Sequence, residues 1–402
     1  MSSPRILFFS PFFYPEPIST GRYNSFLVQA LVRRGAGVEV IASHPLYPSW
    51  RPVRSRSRLE GVSIHRGGAW VRYPRSLLLR RLVFEFWYAA YATVKAWSLR
   101  KRATLAVAIF PPGLFFLCVS RLLPSSMRKV GIVHDLQRTL VTQGEGFLQS
   151  LLAATVCRLE GKAFRACDQL IVLSEAMARH MTAQHALENQ RVVVSYPFVT
   201  VDPAKTGVNL APLFSQLAQH VVYSGALGRK QNPSGLFEFF CTAARELPAV
   251  EFHIFSEGPG FEELRRRPLG ELANKIHLHD LVSEADLEEL YARSTVQVIP
   301  QLESSADACL PSKLPNILAM GSVVLGIAPP ASELARIVGL AGAGVVAHSW
   351  DMAELLAALR QALAQARSQS PEQRRALASD FLARQFSLES LVESVMGAER
   401  LA

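Results

Sequence analysis

The sequence predicts an α/β protein of two or three domains, and three observations carry that reading. Near the N-terminus a strand (Arg5 to Ser10), a helix (Tyr23 to Arg34) and a second strand (Val38 to Ala42) make one βαβ unit. Between Gln297 and Glu333 a strand, a loop, a helix and a strand recur in that order. The composition, 49% apolar and 19% charged over 402 residues, is that of an ordered globular chain. That length suffices for more than one core.

In the first unit the strand runs into a proline-rich loop, Pro11 to Arg22, which contains Gly21. Phe26, Leu27, Ala30 and Leu31 follow at helical spacing, and Gly35 stops the helix. The second strand leads into an aromatic loop, His44 to Trp50, which reads as a rigid packing element. From Leu77 to Arg102, apolar Leu78, Leu79, Leu82, Val83, Phe86 and Trp87 mix with Arg80, Arg81, Lys95, Arg100, Lys101 and Arg102. Trp87, Tyr88, Tyr91 and Trp97 are interleaved, as an interfacial helix requires. An ordinary domain helix with a solvated basic face has the same pattern.

The uncharged run Ala103 to Ser120 approaches membrane-spanning length. Pro111-Pro112-Gly113 interrupts it, so it reads as strand, turn and helix. Lys129 to Val133 then delivers His134 and Asp135 to a strand's carboxyl end, where open parallel sheets bind ligands. A His-Asp pair there also serves simply to cap the next turn.

The strand His220 to Tyr223 opens the second half. Ser224 to Asn232 then combines Gly225 and Gly228 with Arg229 and Lys230, which suits a diphosphate or an exposed turn. His277 and His279 share one strand face, but no further ligand set is legible beside them, so no metal is expected. In the Gln297–Glu333 element a polar loop holds Glu303 and Asp307. Ser312 stands at the expected N-cap, and Lys313 to Met320 form the helix that Gly321 ends. Pro315 is tolerable in a first turn. Lys313 there opposes the helix dipole unless an anion is bound; otherwise it faces water.

Five scattered cysteines without a CxxC point to a reducing compartment. Net charge is +10, and 13 Arg or Lys lie between Arg51 and Arg102 against Glu60 and Glu85. That block suits an anionic membrane surface; without a zinc-finger, RRM or helix-turn-helix signature, nucleic acid is not expected. The apolar run Ile6 to Phe9 is broken by Pro11, Pro15 and Pro17, so no signal peptide is read there.

Ala306, Asp307, Pro311, Ser312, Lys313, Leu314, Asn316, Leu318, Ala319 and Gly321 match a loop of the form A-D-x-x-x-P-S-K-L-x-N/E-x-L-A-x-G. Ser224, Gly225, Gly228 and Gln231 match S-G-N-x-G-x-x-Q. On these residues the chain resembles the family-four, retaining, GT-B glycosyltransferases, most closely the colanic-acid and O-antigen-type bacterial exopolysaccharide enzymes. The resemblance implies two Rossmann-like domains facing a cleft. An acceptor domain would span 1–202, a linker 203–215 and a nucleotide-sugar domain 216–380, with a C-terminal helix (381–402) crossing back to the first domain.

The same resemblance implies catalytic roles for His134, Asp135 and Asp307, with no metal and no cofactor beyond the donor. Donor contacts would fall to Gly21, Gly225, Arg229, Lys230, Ser312, Lys313 and Asn316. The family's two glutamates, eight residues apart, are replaced here by Ala308 and Asn316. Its Arg and Lys after the second domain's first strand fall on Ala226 and Gln231, which leaves Arg229 and Lys230 to substitute. The implied partners are a nucleotide sugar, a lipid-linked or other saccharide acceptor and the inner face of the plasma membrane, from the cytoplasm. A nucleotide-sugar epimerase of the same fold, and a catalytically dead partner of a polysaccharide assembly complex, are the competing readings.

Overall fold

The computed structural model describes residues 4–16, 18–47, 49–135, 147–188, 191–205, 207–216, 219–303 and 310–397. The chain divides into two compact units, Met1–Tyr196 with Leu388–Ala402, and Pro197–Ser387.

The first unit holds β1 (Arg5–Phe9), β2 (Gly37–Ser43), β3 (Val62–Gly67), β4 (Leu105–Phe110), β5 (Arg128–Val133), β6 (Gln169–Val172) and β7 (Val192–Val194). They form a parallel sheet in the order β3-β2-β1-β4-β5-β6-β7. β4 reads LAVAIF and is buried at every position, as a strand covered on both faces must be. β3 (VSIHRG) is only half-buried and polar at alternate places, which is why it left no apolar signal. The order reverses between β1 and β4, which makes their carboxyl ends the switch point of this sheet.

Helix α1 spans Ser19–Arg33, so it begins before the expected Tyr23. Gly21 looked like loop punctuation but lies in the first turn. A Cβ there would come within 3.1 Å of the Glu16 backbone oxygen, so the loop before the helix packs closely against this glycine. Helix α2 (Leu77–Leu99) packs on α3 (Leu114–Leu122), and Arg100–Arg102 form a separate 3-10 turn. The Tyr88 hydroxyl anchors α2 to the sheet by donating to Ile41 O at 2.8 Å. The aromatic loop around Trp50 is drawn into a ring cluster with Phe12, Tyr73 and Phe84. α4 (Phe147–Arg165) and α5 (Glu175–His185) complete the crossovers.

The second unit holds β8 (Gln219–Ser224), β9 (Val250–Ser256), β10 (Ile276–Asp280), β11 (Val296–Pro300), β12 (Val323–Ile327) and β13 (Gly344–Ala347). Its parallel order is β10-β9-β8-β11-β12-β13, with the switch point between β8 and β11. One sheet face packs Phe252 and Ile254 against Phe239 and Phe240 of α6 (Pro233–Glu246). The other face packs Val222 and Phe255 against Leu210, Phe214 and Leu290. Leu210 and Phe214 lie in the stretch expected to be a linker. Their burial places that stretch in the second unit, and the division falls at Tyr196–Pro197 instead.

α7 (Pro259–Arg265) and α8 (Leu287–Arg293) precede α9 (Leu314–Met320). Ser312 is not the N-cap of α9. Lys313 holds that position without a side-chain cap, and the Leu314 N–H is taken by Pro311 O at 3.0 Å. Gly321 ends α9 at φ +76°, where a Cβ would also meet Pro371 O at 2.4 Å. Buried Arg374 closes the same end by donating Nε to Gly321 O at 2.6 Å.

α10 (Glu333–Ala341), α11 (Met352–Ser368) and α12 (Pro371–Gln385) follow, and α13 (Leu388–Met396) belongs to the first unit. Arg128 on β5 holds α13 through Val395 O at 2.7 Å and Ser394 O at 3.1 Å. Among the described residues, no helix is long and apolar enough to cross a membrane.

Candidate functional site

In the second unit the switch point is opened by the strands themselves. β8 and β11 pair at only two positions, Val221 with Val296 and Val222 with Gln297. Beyond them Lys313 reaches in from the start of α9. Its Nζ donates to Ser224 O at 2.9 Å and, more weakly, to Val298 O at 3.4 Å, one carbonyl from each strand. The ammonium also lies 4.3 Å from the Tyr223 ring centroid.

Lys313 is half-buried, and instead of projecting freely from the helix start its Nζ staples two strand ends. Burial holds its pKa down to about 7.

The turn after β8 frames the same sheet end. Gly225 has φ +129°, a backbone conformation that excludes other residues even though a Cβ would meet open space. Its N–H donates to Phe255 O at 3.0 Å, and Ser256 Oγ donates to its carbonyl at 2.8 Å. Arg229–Gln231 form a 3-10 turn, closed by the Gly228 N–H on Gln231 Oε1 at 3.0 Å. Leu302 N–H donates to Lys230 O at 3.0 Å, which ties this turn to the exit of β11. Arg229 is exposed and Lys230 half-buried. The structure thus gathers Gly225, Arg229, Lys230 and Lys313 at one end of one sheet.

Asn316 stands apart from that group. It is 5% exposed, accepts the Thr200 N–H on Oδ1 at 2.8 Å and donates Nδ2 to Thr200 Oγ1 at 3.0 Å. The amide expected to contact the donor is engaged in pinning the Thr200 segment. Ser312 is half-buried in the turn before α9. Asp307 lies outside the described residues.

In the first unit His134 follows β5, and its N–H donates to Phe110 O at 2.9 Å. Its Nε2 lies 3.1 Å from Asn24 Oδ1, Asn24 Nδ2 donates to Ser10 Oγ at 2.9 Å, and Ser10 Oγ donates to Phe12 O at 2.6 Å. Read back from that fixed carbonyl, every donor has one direction. Nε2 of His134 carries the proton, and Nδ1 keeps a lone pair. Burial pushes the His134 pKa down to about 4, so the ring is neutral at ordinary pH. Half-buried Asp135 comes next along the chain.

Sequence reasoning missed Ser10, Asn24 and Glu16 here. Asn24 shares the buried stripe of α1 with Leu27, Val28 and Leu31, and a polar residue in such a stripe is the signal that marks it. Glu16, 4% exposed, accepts the Leu46 N–H at 3.1 Å and the Tyr47 N–H at 2.5 Å, binding the loop after β1 to the loop after β2. Desolvation raises its pKa against those N–H groups and Arg66.

The basic helix α2 also has a definite geometry. Phe84, Tyr88, Ala89, Ala92 and Ala96 are buried, while Leu79 (53%), Phe86 (63%), Val94 (67%) and Trp97 (61%) are exposed along the opposite face. Arg80 is not simply solvated; its guanidinium lies 4.3 Å from the Trp50 ring centroid. Arg81 is partly desolvated, which lowers its pKa, and the charge of Glu85 is the main one opposing that shift.

Comparison with known proteins follows the same division of the chain. Residues 20–203 match the family model described as Glycosyltransferase Family 4, and residues 218–365 match Glycosyl transferases group 1. The Escherichia coli (strain K12) protein WcaI, named for glycosyl transfer in colanic acid biosynthesis, is 26% identical over 380 residues, covering 89% of this chain and 92% of its own. Among solved structures, WaaG, a glycosyltransferase involved in lipopolysaccharide biosynthesis, superposes with a TM-score of 0.70 at 17% identity, over 98% of this chain and 100% of its own. An E. coli trehalose-6-phosphate protein bound with UDP-2-fluoro glucose superposes with a TM-score of 0.67 at 11% identity, over 98% of both chains.

Proposed function

Since the chain belongs to glycosyltransferase family 4 and has the GT-B fold, we propose that it transfers a sugar from a nucleotide-sugar donor to a lipid-linked saccharide. Cell-surface polysaccharide synthesis is the setting, and the anomeric configuration is retained. The observation that carries this reading is the β8/β11 switch point, where Lys313 spans both strand ends beside Gly225, Arg229 and Lys230. A leaving diphosphate needs fixed positive charge and donors where its charge develops. The first unit contributes the neutral, oriented imidazole of His134, which suits a hydrogen bond from a sugar hydroxyl.

The test is turnover with UDP-, GDP- and dTDP-sugars and a lipid-linked acceptor, with NMR of the first-formed product. Transfer with the donor's anomeric configuration is expected. An inverted product overturns retention. Epimerised donor in the absence of acceptor transfers the assignment to an epimerase. Donor binding without turnover on any lipid-linked acceptor favours a non-catalytic partner.

Membrane docking belongs to the same proposal and rests on α2. A helix that buries one face and exposes Leu79, Phe86, Val94 and Trp97 on the other, with Arg100, Lys101 and Arg102 at its end, has the make-up of an interfacial helix. Co-flotation with vesicles rich in anionic lipid is expected, weakening with salt. The double substitution Phe86→Glu and Trp97→Glu, both on exposed positions, should abolish it without lowering Tm. Flotation unchanged in that variant removes α2 from the proposal.

A further inference from the structure

We propose that the second unit carries a divalent transition-metal site for Zn²⁺, built from His220, Glu251 and His253, with His277 at its edge. The register assembles it. Parallel pairing sets His220 beside Glu251 and His253 beside His277, and alternate residues of a strand share a face. The four side chains therefore converge on one face of β8, β9 and β10. His220 is near the amino end of β8, whereas Ser224, which meets Lys313, is its last residue. The cluster is separate from the switch point.

The ligand atoms of His220, Glu251 and His253 all lie within 4.8 Å of one another, which suits three corners of a tetrahedral ion. His220 Nδ1 lies 3.1 Å from His253 Nε2. Glu251 Oε2 lies 3.8 Å from His220 Nδ1, 3.9 Å from His253 Nε2 and 3.7 Å from His277 Nε2. Zinc bonds of about 2.0–2.1 Å to nitrogen put neighbouring ligand atoms about 3.3–3.4 Å apart, inside that range. The donor set, imidazoles with one carboxylate, is one that zinc favours.

The surroundings are those of ligands rather than of a chance cluster. His220 donates Nε2–H to Ser215 O at 2.9 Å, which leaves Nδ1 as a lone pair aimed at Glu251 and His253. The outer nitrogen of His253, Nδ1, meets His279 Nε2 at 3.2 Å. Zinc-bound histidines are oriented by such outward hydrogen bonds. His277 Nε2 is buried without a hydrogen-bond partner, 3.7 Å from Glu251 Oε2 at the edge of this group. Glu251 and His277 keep 16% and 29% of their side-chain surface exposed, which gives the ion a way in. Phe214 stacks on His253 at 4.7 Å, so an ion here would also fix the Leu210–Phe214 segment against the sheet.

The experiment uses the full chain without an affinity tag, stripped with EDTA and titrated with Zn²⁺. One zinc per chain by elemental analysis and a rise in Tm are expected. Co²⁺ in place of zinc should give the strong visible absorption of a tetrahedral site. Glu251→Gln, at the partly exposed ligand, and His277→Ala, beside it, should fold normally by circular dichroism. Glu251→Gln should lose more zinc affinity than the roughly 10- to 100-fold that follows loss of an outer-shell partner, and His277→Ala no more than that. Sub-stoichiometric zinc with no Tm rise overturns the proposal. Zinc bound equally well by Glu251→Gln also overturns it, because the ion would then sit elsewhere.

Discussion

Lys313→Met is expected to weaken binding of UDP, GDP or dTDP, whichever is the cognate diphosphate, by about 1.5–3 kcal/mol, roughly 10- to 100-fold. Methionine keeps most of the stem volume and removes only the charge and the donors. The free nucleoside, lacking phosphates, should bind both proteins alike. The substitution also acts on stability, because Ser224 O and Val298 O lose their shared donor.

The sign of its pH dependence follows from burial. Burial lowers the folded-state pKa of Lys313 from 10.5 to about 7, so between those values the unfolded chain binds more protons than the folded one. Wild-type stability therefore gains from this group as pH rises from 7 toward 10.5, and the methionine variant lacks that gain. Urea unfolding of both proteins at pH 7, 8 and 9 measures it. A bound diphosphate favours the ammonium form, so wild-type binding at pH 8 should take up protons. Calorimetry in buffers of different ionisation enthalpy reads that uptake, and Lys313→Met should abolish it. Unchanged diphosphate affinity in the variant would remove Lys313 from the donor site.

How much of this was legible in the sequence depends on the range of the interaction concerned. Apolar runs such as Leu105–Phe110 and Val323–Ile327 announce themselves because a doubly covered parallel strand has no polar positions. Gly321 was legible as a helix stop because the left-handed conformation needs it locally. Ser312 was misplaced by one register step, since a backbone carbonyl, Pro311 O, supplies the cap that a side chain was expected to supply.

What the sequence concealed depends on partners far along the chain. Lys313 is distinguished by Ser224 and Val298, Asn316 by Thr200, and His134 by Asn24 and Ser10. The pair His277 and His279 was visible as an alternation. The residues that make it a candidate metal centre, His220, Glu251 and His253, come from two other strands and are joined to it only by sheet register. Spacing along one segment carries no information about register between segments.

His134→Ala should lower kcat/KM by about 100- to 1,000-fold, the range for losing one oriented hydrogen-bonding group in an active site. The effect should fall mainly on kcat, because the role proposed for the ring is toward the reacting sugar and not toward the nucleotide. Asn24→Ala should produce a smaller loss of the same kind, about 10-fold, because it frees the ring to adopt either tautomer without removing it. Rescue should follow the amide. Asn24→Asp keeps an acceptor for Nε2–H but removes the donor to Ser10, so it should recover part of the rate.

The pH profile separates this role from that of an ordinary titrating base. With a folded pKa of about 4, His134 stays neutral throughout the working range, so it should add no inflection to the wild-type rate between pH 5 and 8. Its stability signature runs the other way. The unfolded chain binds more protons between pH 4 and 6.5, so this group's contribution is lost as pH falls through that window. His134→Ala should therefore narrow the fall in Tm between pH 7 and pH 5. An acid limb near pH 6.5 in the wild-type rate, absent from His134→Ala, would mean that the ring titrates normally and that burial does not hold it neutral.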